Sequence, residues 1–205
     1  MVAAVSDALA TPAQYRAVIG KTDTGQDADI LTDLKAVSRY LEGKLGRFFN
    51  KDASDATRVY VVPRTSTDLW VDDLSAAPTT IKIDEDGDGS FTDEVYLDSA
   101  DFELLPLNAA LGPEARPYTR IRLTEWGDYS QFVKDQRVQV IGKFGWPAVP
   151  EAVQRATIHL TAILRLETPR ATRRISELDG TIEASPDAMG IVRQLTDDYW
   201  KPRYA

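Results

Sequence analysis

The residues best typed and spaced for chemistry are carboxylates. They crowd the stretch Asp84-Glu85-Asp86-Gly87-Asp88-Gly89-Ser90. Acidic groups at its first, third and fifth positions offer hard oxygen ligands, and glycine at the sixth permits the sharp turn that opens a calcium loop. The twelfth position, where a helix-loop-helix calcium site needs a bidentate Glu, is Val95, preceded by Asp93 and Glu94. Strand-like flanks complete the case against an EF-hand. Two readings stand: a calcium-binding hairpin tip held by Asp84, Asp86 and Asp88, or a solvated acidic turn with Gly87 and Gly89 at positive φ. The solvated turn is preferred, because clustered carboxylates cost little in water. No cofactor is expected, calcium being the one candidate.

Other chemistry has less to build on. His159 is the single histidine and lies in an apolar helical stripe, with no G-x-S-x-G elbow to make a nucleophile for it. It is read as a packing residue. A hydrolase on scattered carboxylates such as Glu103, Glu125 and Asp128 needs only proximity in space, but nothing in their spacing recommends it. No phosphate-cradling glycine loop occurs. Arg170, Arg173 and Arg174 form the densest basic cluster, backed by Arg155 and Arg165, and suit either an acidic partner or a solvated helix end. Trp126, Tyr129, Phe132, Phe144 and Trp146 lack interleaved basic residues and read as core or interface aromatics, not as a base-stacking platform.

Composition narrows the classes further. The chain has 205 residues, enough for a real core, and no cysteine, which removes disulfides, thiolate metal sites and thiol nucleophiles. Its net charge is −8, so its average surface repels phosphate. Neither a signal peptide nor a membrane span is expected from the sequence. A soluble, non-enzymatic protein is expected.

The elements that must hold these residues divide into helices at both ends of a β-rich middle. Thr11-Pro12 opens a short helix through Tyr15, Val18 and Ile19 that stops near Gly20. Ile30, Leu34, Val37, Leu41, Leu45 and Phe48 then recur every three or four residues, predicting an amphipathic helix over 28–46. Two-residue alternation follows in Val59 and Val61, Leu69 and Val71, Ile81 and Ile83, Val95 and Leu97, with more strands at 101–105, 118–123 and 137–141. An antiparallel sheet or small barrel-like module is implied. After Gly145-Trp146-Pro147 a helix with a wide apolar face runs to Thr168-Pro169, and Ser185-Pro186-Asp187 caps a last short one. The fold class is α+β: N-terminal helices over 1–57, an inserted β module over 58–146, a long core helix over 147–168, and a C-terminal arm over 169–205.

The sequence resembles the head-to-tail connector, or adaptor, proteins of long-tailed bacteriophages. The resemblance rests on Ser38-Arg39-Tyr40-Leu41-Glu42 with Leu45-Gly46-Arg47-Phe48-Phe49, on Ile81-Lys82-Ile83-Asp84 leading into the acidic turn, and on Asp101-Phe102-Glu103-Leu104-Leu105-Pro106. Arg116-Pro117-Tyr118-Thr119-Arg120-Ile121 adds to it. Its most specific part is Phe144-Gly145-Trp146-Pro147-Ala148-Val149-Pro150-Glu151-Ala152-Val153.

The resemblance implies a structural virion protein forming a ring with copies of itself, matching a dodecameric portal. Its partners would be the portal and a tail-side neck or terminator protein, with genomic DNA passing through the lumen unbound and no membrane involved. It would reside in the neck between capsid and tail, and in the host cytoplasm during assembly. The arm would dock on the portal or a neighbouring subunit through Arg170, Arg173, Arg174, Ile191, Leu195, Tyr199 and Trp200. The competing expectation is a calcium-stabilised β module of another virion or adhesion protein.

Overall fold

Thr11 accepts from the Gln14 backbone N–H while the Gln14 side chain accepts from the Thr11 N–H, a reciprocal cap that starts helix α1 (Pro12–Ile19). Gly20, at φ 77°, ends it. Helix α2 (Asp27–Leu45) follows, and α3 (Glu151–Leu164) and α4 (Pro186–Thr196) lie beyond the β-rich middle. The structure is a computed structural model describing residues 8–92, 94, 96–109, 114–165, 174–175, 182–183 and 186–200, with the backbone alone for 174–175, 182–183 and 186–189.

The chain forms two compact units, residues 1–49 with 149–205, and residues 50–148. In the helical unit Tyr15, Ile30, Leu34, Ile158 and Ala162 make one apolar cluster. Val37, Leu41, Ala156 and Val192 make another. The wide face of α3 is what lets it serve both. Its buried threonines are satisfied by back-bonding to their own helix, Thr157 to the Val153 carbonyl and Thr161 to the Thr157 carbonyl, both at 2.8 Å. Gln14 bonds Gln154 at 2.8 Å, and Arg165 pairs with Asp33 at 2.6 Å.

Two expectations about the helices change. The α2 stripe does not end at Phe48, which is 64% exposed, but at Phe49, which is fully buried: the left-handed turn at Gly46 shifts the phase by one residue. The arm expected to be ordered by the portal or a neighbouring subunit also finds a seat within its own chain. Helix α4 packs on α3, with Val192 in the core and Leu195 against it. Tyr199, in the short 3₁₀ turn Asp197–Tyr199, is buried with its ring edge-on to Phe49 at 6.0 Å. Short as it is, α4 finds in the flank of α3 a place to bury its apolar face.

The β unit holds strands β1 (Ala56–Val61), β2 (Asp68–Leu74), β3 (Thr80–Ile83), β4 (Phe102–Leu105), β5 (Tyr118–Leu123) and β6 (Arg137–Gly142). They form two antiparallel three-stranded sheets, ordered β1-β6-β3 and β2-β5-β4, not a closed barrel. Ile81, Ile83, Val138 and Val140 from the first and Leu69, Val71, Ile121 and Leu123 from the second share one core. In β1 the alternation holds but the face is reversed: Val59 and Val61 point outward, 50% and 59% exposed. Ala56 and Tyr60 pack on the core instead. Arg58 lies over the Phe144 ring at 3.9 Å and reaches Asp72 at 2.5 Å, which is why a cation sits where a valine was expected. Of the pair Val95 and Leu97, Val95 lies outside the described residues and Leu97 is in no strand; Tyr96 makes a single bridge to Lys82. A two-residue pairing of β7 (Arg174–Ile175) with β8 (Ile182–Glu183) precedes α4.

The β unit closes where its chain ends meet. Asp52 N–H donates to the Phe144 carbonyl at 2.8 Å, and Phe144 N–H donates to Asp52 Oδ2 at 3.2 Å. Gly145, at φ 100°, donates to the Asp73 carbonyl at 2.7 Å; a Cβ there would sit 2.0 Å from the Asn50 carbonyl oxygen. The buried Trp146 indole N–H bonds Asp73 Oδ2 at 3.2 Å. The tract Phe144-Gly145-Trp146 is therefore a clasp. It contains no catalytic group.

Candidate functional site

The acidic turn follows β3, and its first carboxylate is buried. Asp84 is 3% exposed and takes Gly87 N–H on Oδ1 at 2.7 Å and Gly89 N–H on Oδ2 at 3.1 Å. Asp86 and Asp88 are exposed and cap the N–H groups of Asp88 and Ser90 at 3.0 and 2.5 Å. Ligand oxygens of all three lie within 4.8 Å of one another, the one such acidic cluster among the described residues. Each carboxylate is already an acceptor for the turn's own backbone, and Gly87 and Gly89 take the positive φ, 77° and 81°, expected of them. Oxygen donors of this kind suit calcium chemically.

Around the turn the acidity continues. The loop after β5 is tied down by Thr124, whose N–H donates to the Asp101 carbonyl and whose hydroxyl donates to the Ala100 carbonyl, both at 2.8 Å. Tyr129 bonds Glu85 at 2.6 Å, and burial, then that bond to Glu85, pushes its phenol up to about 12. Between them stands Trp126, 91% exposed and flanked by Glu125 and Asp128. Of the scattered carboxylates, Glu103 is on β4 opposite Arg122, while Glu125 and Asp128 belong to this loop. His159 is half-buried on α3.

The docking residues named from the sequence are dispersed. Arg170 and Arg173 lie outside the described residues, and Arg174 is described only as the β7 backbone partner of Glu183. Ile191 and Trp200 are exposed, 46% and 61%; Leu195 and Tyr199 are turned into the helical unit.

Sequence reasoning missed a second surface of the β unit, on the β1 and β2 side. There Trp70, 50% exposed, lies under the Arg120 guanidinium at 4.9 Å. Asp68 takes two bonds from Arg122, at 2.8 and 3.3 Å, and one from Arg120 at 3.2 Å. The Arg122 bond, helped by the charge of Arg120, holds the Asp68 carboxyl below the usual carboxylate range. Tyr60 hydroxyl bonds Asp72 at 3.2 Å, and burial, then the Asp72 charge, pushes its phenol up. Val61, Pro63, Arg64, Ser66, Trp70 and Arg120 line a groove of 270 Å³ here. The signal available in sequence was the alternation Asp68, Trp70, Asp72, whose large aromatic falls on the polar face.

No protein-family model matches this chain, and no curated protein matches it in sequence. Solved structures share its fold. A chain in the neck of the empty gene transfer agent (GTA) particle, with C6 symmetry, superposes at a TM-score of 0.58 and 18% identity, over 95% of this chain and 90% of that one. A chain in the neck of the native particle, with C12 symmetry, gives 0.56 at 19% identity, over 94% and 89%. A chain in the virion of the native particle gives 0.53 at 19% identity, over 95% and 90%.

Proposed function

We propose that this chain is a structural subunit of a virion neck, a head-to-tail connector that forms a ring between portal and tail. The observation carrying the proposal is a fold shared over nearly the whole chain with components of GTA necks solved with sixfold and twelvefold symmetry. One chain repeating one head-to-tail contact makes a closed ring when the rotation closes, and a dodecamer would match a twelvefold portal. A net charge of −8 suits a wall past which DNA must slide without being held. Catalysis has no part in this reading. Among the described residues no helix is long and apolar enough to cross a membrane.

In this role the exposed Ile191 and Trp200, with the arginines at 170, 173 and 174, would meet the portal, while Leu195 and Tyr199 hold the segment in place. The deciding experiment is co-expression with the portal protein of the same genome, followed by electron microscopy. A ring of this chain on the portal is the expected result. A portal that stays bare when both proteins are folded would overturn the proposal.

A further inference from the structure

The two sheets of the β unit have opposite flanks that differ in chemistry. Strands β1 and β3 are the two edges of one sheet, and β2 and β4 the two edges of the other. Tyr60 and Arg58 join β1 to β2 through Asp72 on one flank. On the other, Leu97 N–H bonds the Ile81 carbonyl at 3.0 Å and Asp98 N–H bonds Asp101 at 2.7 Å, linking the β3 side to β4. The first flank is apolar and cationic: Val59, Val61 and Trp70 are half exposed, Arg64 is exposed, and Arg120 keeps its Nε buried without a hydrogen-bond partner. Four guanidiniums stand on this flank against two carboxylates: Arg120 and Arg122 pair with Asp68, Arg58 pairs with Asp72, and Arg64 lines the groove exposed. The β1 edge has no strand on its outer side among the described residues. The second flank is mainly acidic: Glu85, Asp86 and Asp88 lie in the turn after β3, with Arg137 beside Gly89, and Tyr129 ties that turn to the loop where Glu125 and Asp128 flank the protruding Trp126 in sequence.

We propose that the groove beside Trp70 is the seat for a second copy of this chain, which inserts the Trp126 loop of its acidic flank. The contact rests on the ring reading above and specifies it as heterologous, one flank against the other. Complementary charge on opposite sides of one small unit is what a repeating head-to-tail contact requires, whereas a two-fold contact would set like charges together. Size agrees as well. The groove offers 270 Å³, and a cavity of about 150 Å³ already takes benzene, so an indole has room. Glu125 and Asp128 then meet Arg64 and Arg120, and the two rims carry a desolvated aromatic between them, the usual make-up of an interface anchor.

The chain has no cysteine, so engineered thiols report without background. Pro63→Cys marks the groove and Glu125→Cys marks the loop beside Trp126. Sedimentation of the unmodified full chain up to its highest soluble concentration gives its self-association. Under the same conditions, oxidation of the two single variants mixed together should give heterodimers, and the double variant a ladder of covalent oligomers. Trp126→Ala should weaken association at least tenfold with an unchanged melting curve, and salt should weaken it too. Should the chain associate but cross-link only between like positions, or ignore Trp126→Ala, the contact is overturned and the ring survives. A chain that never associates, even at its highest soluble concentration, overturns the contact, while the ring reading is decided by co-expression with the portal.

Discussion

Asp84 sits at the point where a metal site and a turn cap compete, and its bonds decide the expectation. Both carboxylate oxygens already receive glycine N–H groups. Asp84→Ala should therefore cost about 1–3 kcal/mol, the loss of two hydrogen bonds to a buried charged acceptor, with or without calcium. Thermal unfolding of the unmodified chain in calcium and in chelator is expected to give the same midpoint; a rise of several degrees in calcium would make the cluster a true ligand set. Asp68 answers to pH instead. Its folded-state carboxyl is held low by Arg122, so the stability it adds is complete above the unfolded value near ~3.9 and is lost as pH falls toward the lower folded one. Comparing Asp68→Asn with the unmodified chain across acid pH tests this: the difference in stability should shrink as the solution is acidified below about 4.

Elements were readable where one local rule governed them. The cap at Thr11, the stop at Gly20 and the alternation of β5 and β6 depend on neighbours in sequence, and they lie where the residues predict. The outward face of β1 did not, because its inward position belongs to Arg58, whose partners Phe144 and Asp72 are far along the chain. The fold-back of α4 was hidden for the same reason: only the α3 flank shows that Val192 has somewhere to go. Val192→Asp should consequently cost about 3 kcal/mol or more by burying an unpaired charge. Removing residues 179–205 should lower the melting temperature of the purified chain, where a free arm would leave it unchanged. The clasp makes the sharpest prediction among the elements. Gly145→Ala combines positive φ with a Cβ 2.0 Å from a carbonyl oxygen, and about 3 kcal/mol or more of destabilisation is expected by chemical unfolding.

At the scale of the whole molecule, rings and monomers are separated by how much surface each subunit leaves unsatisfied. The helical stripes are covered within the unit, and the flanks of the β unit are small and partly polar. Without the portal the chain is expected to be a monomer at nanomolar concentration in single-particle mass measurement, with association only when concentrated. A closed ring at that dilution would remove the portal from any part in templating. The clasp at Asp52 and Phe144 has a consequence for how the chain reaches this state. Helices α2 and α3 are separated in sequence by the whole β unit, and pairing them in an open chain means closing a very long loop. Once the clasp has shut, the path between them shortens to the few residues on either side of it. The β unit should thus acquire protected amides first in pulse-labelling, with α2 and α3 zipping afterwards as if they were near neighbours.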